Sequence, residues 1–436
     1  MPLAIAAPPP NIVFLLIDDM GYADLSCYGS KLVNTKNIDQ LAREGIRFTQ
    51  FYVSAPICSP SRTGLLTGQY PQRWRINSFL ENRESNTKRG MAQWLDLKAP
   101  SIARELQKSG YATGHFGKWH MGGQRDVGDA PLITEYGFDT SLTQFEGLGD
   151  RILPLLETYD GKPPAKHALG SDKLGRGEIT WMERAKITGA FAARAQAFMS
   201  EAQENKKPFY VNLWLDDIHS PFFPEKALRS DGTKKTLYNA VVQSMDDQLA
   251  PLLGYLHTVP NTIVIVASDN GPEPGAGSAG AFRGFKGNLY EGGIREPLIV
   301  WGPGRVKSGL VNEKSVVTSV DLFPSLLKLA GVTLPKAYIP DGEDRSDALL
   351  GKSQLLRRRP IFWKRPPDRP GPAGERFPDL AVREGDWKLL SMTDGTAPQL
   401  YNLGSDPGEA KNLASTEPER VRQLTEKLLA WNKTLP

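Results

Sequence analysis

Three long apolar stretches constrain this chain more than any other feature. Ile12-Val13-Phe14-Leu15-Leu16-Ile17, Phe209 to Leu215 (broken only by Asn212) and Thr262-Ile263-Val264-Ile265-Val266-Ala267 read as strands buried on both faces of a parallel sheet. Acids or amides follow each one: Asp18-Asp19, Asp216-Asp217, and Asp269-Asn270 after Ser268. Helical stretches alternate with the strands, so the expected fold is α/β: a large, mostly parallel sheet flanked by helices. In such sheets ligands bind outside the carboxyl ends of the strands, where these polar groups stand. Taken singly, an Asp pair there is equally well a solvated turn.

The rest of the chain fills in this frame. Asn37 to Gly45 reads as an amphipathic helix with a glycine stop, and Phe48 to Val53 as the strand after it. Ser101 to Lys108 is a helix, Tyr111 to His115 a strand, Ile179 to Gln203 and Lys235 to His257 helices. Leu298 to Trp301 is a strand and Asp321 to Ala330 a helix. Residues 124–178, with scattered Gly, Pro and charge, read as an excursion of little regular structure. Gly275, Gly277 and Gly280 fit a GxGxxG spacing, but Pro272 and Pro274 intervene after the strand and no helix follows, which excludes a dinucleotide loop. Beyond Arg357-Arg358-Arg359, which reads as a solvated junction or a docking patch, come short strands at Ile361 to Trp363, Leu380 to Glu384, Trp387 to Ser391 and Gln399 to Leu403, then a helix from Pro418 to Trp431. The expected division is a catalytic α/β domain over 11–355 and a smaller antiparallel-sheet-plus-helix unit over 356–436. Length alone would suggest about three domains.

Composition excludes some functions. With a formal charge of +4 over 436 residues and mixed signs, there is no electrostatic footprint for nucleic acid. No apolar run reaches the ~20 residues of a membrane span. Cys27 and Cys58 are the only cysteines, too few to report a redox compartment. Met1 to Ala7 is short for a secretory signal, and its small residues match the end of a cleaved leader.

The chemistry converges on Cys58-Ser59-Pro60-Ser61-Arg62-Thr63-Gly64-Leu65-Leu66-Thr67-Gly68. Ser59 or Ser61 suits a helix cap, and Pro60 suits a first helical turn. An isolated cysteine here would be a small buried hydrophobe. The whole string, however, resembles the sulfatase signature Cys-x-Pro-Ser-Arg-x-x-x-Leu-Thr-Gly at every fixed position. Downstream, Gly117-Lys118-Trp119-His120 follows a strand end; an extended segment would point Lys118 and His120 the same way. Their spacing is not that of a zinc helix. With Asp18, Asp19, Asp269, Asn270, His219 and Lys286, the chain resembles a type I, formylglycine-dependent sulfatase of the alkaline phosphatase superfamily along nearly its whole length.

That resemblance implies a set of roles. Cys58 would be oxidised to Cα-formylglycine by a maturation enzyme. Asp18, Asp19, Asp269, Asn270 and residue 58 would hold a divalent cation; the all-oxygen set suits calcium, with magnesium the alternative. Arg62 would activate the nucleophile, and Lys118 would bridge it to the sulfate. His219 with Lys286 would serve the leaving alcohol, and His120 would be the base for elimination. The aldehyde hydrate offers two hydroxyls: one attacks sulfur, and loss of the other's proton expels sulfate. Ile218 stands where the family often has Pro before this histidine. Two rivals are a phosphonate monoester or phosphodiester hydrolase of the same superfamily and a non-catalytic binder of sulfated glycans. Resemblance of 283–293 to carbohydrate-active members implies exo-desulfation of a galactose or N-acetylgalactosamine-type glycan, and a periplasmic or secreted location. Arg283, Trp119, Trp74, Trp181 and the 365–376 loop are candidate sugar contacts, though packing accounts for each Trp equally well.

Overall fold

The computed structural model describes residues 8–157, 162–354, 356–366, 368 and 376–436. Met1 to Ala7 and most of the 365–376 loop lie outside the described residues. The large sheet has twelve strands. Across it run Leu310–Asn312, Ile46–Tyr52, Arg295–Trp301, Thr262–Ser268, Asn11–Ile17, Phe209–Leu215, Ala112–Gly117, Thr140–Thr143, Arg151–Leu156 and Ala165–Lys166. Val317–Thr318 joins beside Ile46–Tyr52, and Ile179–Glu183 beside Arg151–Leu156.

Asn11–Ile17 pairs in parallel with both Phe209–Leu215 and Thr262–Ser268, and all three are essentially fully buried. This is the environment that continuous apolar runs require. The register sets where their polar ends emerge. Ile17 lies opposite Leu215 on one side and Ser268 on the other, and Gly117 lies opposite Trp214. Asp18, Asp216, Asp269 and Lys118 therefore leave the sheet along one edge. Helices cover both faces: Ile187–Glu204 and Lys234–Thr258 pack over one, and Cys58–Thr67, Ile102–Lys108 and Leu322–Leu329 over the other.

The smaller sheet is antiparallel, in the order Ile361–Lys364, Leu380–Glu384, Trp387–Ser391, Gln399–Asn402, with Pro418–Asn432 packed on it through Leu424, Leu428 and Trp431. Tyr70 belongs to this same cluster, so the catalytic part of the chain contributes to its core.

Three expectations need correction. Residues 124–178 are not an irregular excursion: they supply three strands that extend the large sheet. Thr140-Ser141-Leu142-Thr143 is too polar to read as a strand, yet it pairs in parallel with Ala112–Gly117. Ile179 to Gln203 is not one helix either. Ile179–Glu183 is a strand beside Arg151–Leu156, and the helix begins at Ile187. Within the Arg triplet only Arg357 departs from a solvated junction: it reaches buried Asp321 at 2.5 Å, while Arg358 and Arg359 stay exposed with their backbone N–H groups donating to Glu343.

Candidate active site

The helix Cys58–Thr67 opens directly at Cys58 and is buried throughout. Ile57 occupies the cap position, so neither serine caps it; Ser59 Oγ instead accepts from the Leu80 N–H at 2.9 Å. Pro60 does fall in the first turn. A Cβ at Gly64 would come within 2.1 Å of Ser54 Oγ, which is why glycine sits where the helix meets its feeding strand. Cys58 is 2% exposed, with its sulfur 4.0 Å from Asp19 Oδ1. Burial, with Asp18 nearby, pushes the thiol well above its ordinary range, the reverse of what a thiolate nucleophile needs.

Asp18, Asp19 and Asp269 present carboxylate oxygens within 4.8 Å of one another, and Asp18, Cys58 and His219 form a second such group. Asp19 is held at φ +59°, a left-handed conformation that costs a non-glycine residue about 1–2 kcal/mol. Asp269 Oδ1 accepts the Asp19 N–H at 3.1 Å, and Asn270 Nδ2 donates to Asp19 Oδ1 at 2.8 Å. That bond turns Asn270 Oδ1 away, and it is buried without a hydrogen-bond partner. Asp18 Oδ1 also lacks a hydrogen bond, with Arg62 Nη2 at 3.3 Å. Buried acceptors without donors, in an all-oxygen carboxylate and amide set, fit a hard divalent cation such as Ca2+.

Arg62 is fully buried beneath this set. Its Nε donates to Asp269 Oδ2 at 3.0 Å and its Nη1 to the Lys118 carbonyl at 2.8 Å, so it fixes two walls of the site together. Lys118 Nζ lies 2.6 Å from Asp18 Oδ2, and Lys286 Nζ 2.6 Å from Asp19 Oδ2. Burial opposes both charges, but Asp18 and Asp19 outweigh it and raise both lysines above their ordinary value, so they are cations.

Lys118 and His120 do converge, but not through a pleat. Gly117 has φ +108°, and a Cβ there would meet the Trp214 carbonyl oxygen at 2.0 Å; His120 has φ +57°. The resulting turn brings Lys118 Nζ and His120 Nδ1 each to 3.1 Å from Glu146 Oε2. His120 Nε2 sits 3.0 Å from the Leu80 carbonyl and must donate to it, which leaves Nδ1 as the proton-accepting nitrogen. Burial lowers His120, to about 3, against the pull of Glu146. Burial opposes charge on Glu146 as well, but His120 and Lys118 hold its carboxyl down at about 2.

His219 is one-third exposed on its side chain. Its Nδ1 donates to the Ser220 carbonyl at 2.8 Å, and its Nε2 faces Asp19 Oδ2 at 3.7 Å. The loop carrying it is latched by Arg184, whose Nη1 donates to Asp216 Oδ2 at 2.8 Å and Nη2 to the Asp216 carbonyl at 2.6 Å. Thr188 Oγ1 donates to Asp217 Oδ2. The second acid pair thus anchors a loop.

Cys58, His120, Glu146, His219 and Lys286 share a cavity of about 230 Å³, walled farther out by Phe79, Arg125, Phe145, His167 and Leu169. A wider cavity of about 470 Å³ adjoins it through His219, Ser220 and Lys286. Every residue expected to serve catalysis or the metal gathers here. The expected sugar contacts do not. Trp119 is 1% exposed in an aromatic core with His115, Tyr136 and Phe138. Trp74 donates to Gln69 Oε1 at 3.2 Å and packs on the main core. Trp181 packs behind Phe145 under Lys166. Arg283 lies over the Tyr290 ring and reaches the Tyr401 hydroxyl at 3.2 Å, tying its own loop to the small sheet.

Residues 10–332 match the sulfatase family profile. The chain belongs to the sulfatase family. Residues 280–434 also match the C-terminal region described for N-sulphoglucosamine sulphohydrolase. Over 96% of its length the chain is 33% identical to human arylsulfatase A, covering 87% of that protein. It is 29% identical to an N-acetylgalactosamine-6-O-sulfatase of Bacteroides thetaiotaomicron, covering 96% of this chain and 92% of that one. Among solved structures, a protein from work on the metabolism of multiple glycosaminoglycans by the same organism superposes with a TM-score of 0.77 at 27% identity, over 98% of this chain and 100% of the other. This sulfatase is a sulfuric ester hydrolase, and among its described residues no helix is long and apolar enough to cross a membrane.

Proposed function

We propose that this sulfatase removes sulfate from a chain-end sugar of a galactose or N-acetylgalactosamine-type glycan, using formylglycine made from Cys58. One observation carries this reading. Cys58 begins a buried helix at the base of a cavity that also holds His120, His219 and Lys286, directly beside the carboxylate set. The name of the bacterial relative supports the sugar class. The inner cavity, about 230 Å³, has room for one terminal ring beside Cys58, with the wider cavity of about 470 Å³ open to the next part of the substrate.

Asp18, Asp19, Asp269 and Asn270 would hold Ca2+, or Mg2+, which when bound neutralises charge on the sulfate and the attacking oxygen. Residue 58 as formylglycine supplies a hydrated aldehyde, one hydroxyl for attack and one for release. Lys118 and Lys286 leave their carboxylate partners to hold sulfate oxygens, each contact of this kind being worth about 3 kcal/mol of barrier. His219 presents Nε2 to the leaving oxygen and gives it a proton. His120 accepts the hydroxyl proton at Nδ1, beside Glu146. Arg62 keeps Asp18 and Asp269 in place throughout. We also place maturation with a formylglycine-generating enzyme of the host, and the working location in the periplasm or outside the cell.

The test is a panel of defined sulfated mono- and disaccharides with an aryl phosphonate ester, read by free sulfate or alcohol. Release from terminal 6-sulfated galactose-type sugars, with the phosphonate turned over much more slowly, is the expected result. Faster phosphonate cleavage, or saturable glycan binding with no sulfate released, would favour a rival.

A further inference from the structure

The outer wall of the inner cavity carries a charge that the reaction does not use. Arg125 lines the same space as Cys58, on the side of Phe145, His167 and Leu169. It is half-buried, with its backbone in the left-handed region at φ +55°. Among the described residues its guanidinium has no ion pair and no hydrogen bond, unlike Arg62, Arg184 and Lys118 nearby. The one acid in that wall, Glu146, is already shared between Lys118 and His120 at 3.1 Å each. His167 packs edge-on against Phe145 and adds nitrogen, not negative charge. Sulfate itself is answered by Lys118, Lys286 and His219. A guanidinium left without a counter-charge in a cavity built around an anion matches a second oxyanion.

Resting on the sulfatase reading above, we propose that Arg125 binds a second anionic substituent of the substrate, a carboxylate or a further sulfate, on the desulfated sugar or its neighbour. A two-pronged contact of this kind favours the doubly charged substrate by about 10- to 100-fold in kcat/KM.

The test compares singly sulfated galactose-type substrates with matched disulfated and uronate-bearing ones, in wild type and in Arg125→Asn, Arg125→Met and Arg125→Lys. Asn tolerates the left-handed backbone, so it guards against loss of fold. The expected result is a wild-type preference that shrinks as salt is raised, collapses toward one in the Asn and Met variants, and survives in part in Lys. The disulfated and uronate arms tell the two sources apart. A wild-type ratio near one, or an equal loss on singly and doubly charged substrates in the variants, would overturn the proposal; the wild-type ratio decides it even if every variant misfolds. No sulfate freed from any substrate would overturn the sulfatase reading instead, and this one with it.

Discussion

Two clusters of buried charge sit on either side of the loop that carries Lys286, and they are built differently. In the first, Lys388 lies between Glu291 and Glu409 at 2.9 Å from each, all three side chains fully buried. The second oxygen of Glu291 takes the Tyr52 hydroxyl at 2.6 Å, and that of Glu409 takes the Glu291 N–H at 2.6 Å. Three of the four carboxylate oxygens thus accept a hydrogen bond, and the fourth, Glu409 Oε1, lies 2.9 Å from the Lys388 ammonium, so each has a cation or a donor close by. It ties Trp387–Ser391 of the small sheet to the glycine-rich segment just after Lys286. The second cluster, Asp18, Asp19, Asp269 and Asn270, has as many cations around it. Yet Asp18 Oδ1 comes no nearer to one than 3.3 Å, and neither it nor Asn270 Oδ1 has a hydrogen bond. In the first cluster each acceptor is answered from within; in the second, acceptors are held in reserve for a ligand.

The sharpest way to break this contrast is to remove one member from each side. Cys58→Ala should lower sulfate release by about 10⁴-fold or more while the melting temperature stays within a few degrees. Lys388→Met should do the reverse. It strips Glu409 of its cation and leaves Glu291 to Arg295, at 3.3 Å, and the Tyr52 hydroxyl, at a cost of about 3–5 kcal/mol in chemical denaturation, and the molecules that remain folded keep their chemistry. If Cys58→Ala unfolds the protein, or Lys388→Met leaves stability untouched, the two clusters are not opposites.

A smaller effect separates them by ligand. Calcium at a hundredfold excess over its dissociation constant should add about 2.7 kcal/mol to stability, as measured by thermal unfolding with and without a chelator. Asp269→Asn should abolish that increment, whereas Lys388→Met should retain it.

The smallest effect is in pH. Glu291 is held down at about 2, because Lys388, Arg295 and Arg383 outweigh its burial. Its stabilising contribution is present above the ordinary carboxylate pKa and fades as pH falls toward 2. Burial raises Glu409 to about 7, against Lys388. Its contribution therefore runs the other way, full in acid and lost as pH climbs through 7. Glu409→Gln should flatten the fall in stability between the ordinary carboxylate pKa and about pH 7, a slope of up to one proton, ~1.4 kcal/mol per pH unit, and leave the acid limb below it in place.

Legibility in the sequence divides along the same line. Asp18-Asp19, Cys58, Arg62, Lys118 and Asp269-Asn270 were legible because each stands just past an apolar strand or inside a dense local signature. Buried strands announce themselves, and the register then delivers their ends to one edge. Glu146, Arg125 and His167 were not legible. They lie in 124–178, where Thr140–Thr143 pairs with a buried strand while looking like a loop, the Thr143 hydroxyl donating to the Gly117 carbonyl and the backbone pairing with Ala112–Gly117. The available cue was Phe145-Glu146-Gly147, an acid between an aromatic and a glycine, starting two residues beyond Thr143. The tryptophans misled for a simpler reason: sequence gives their size but not which side of the sheet they face, and Trp119 faces inward.

Residue 58 in active enzyme is the decisive position. Protein expressed with a maturation enzyme, shown to release sulfate, should give a peptide spanning Ser54 to Arg62 whose mass reports an aldehyde in place of the Cys58 thiol, with activity rising in proportion to the converted fraction. Full activity from protein in which that peptide carries only unmodified cysteine would contradict a formylglycine mechanism.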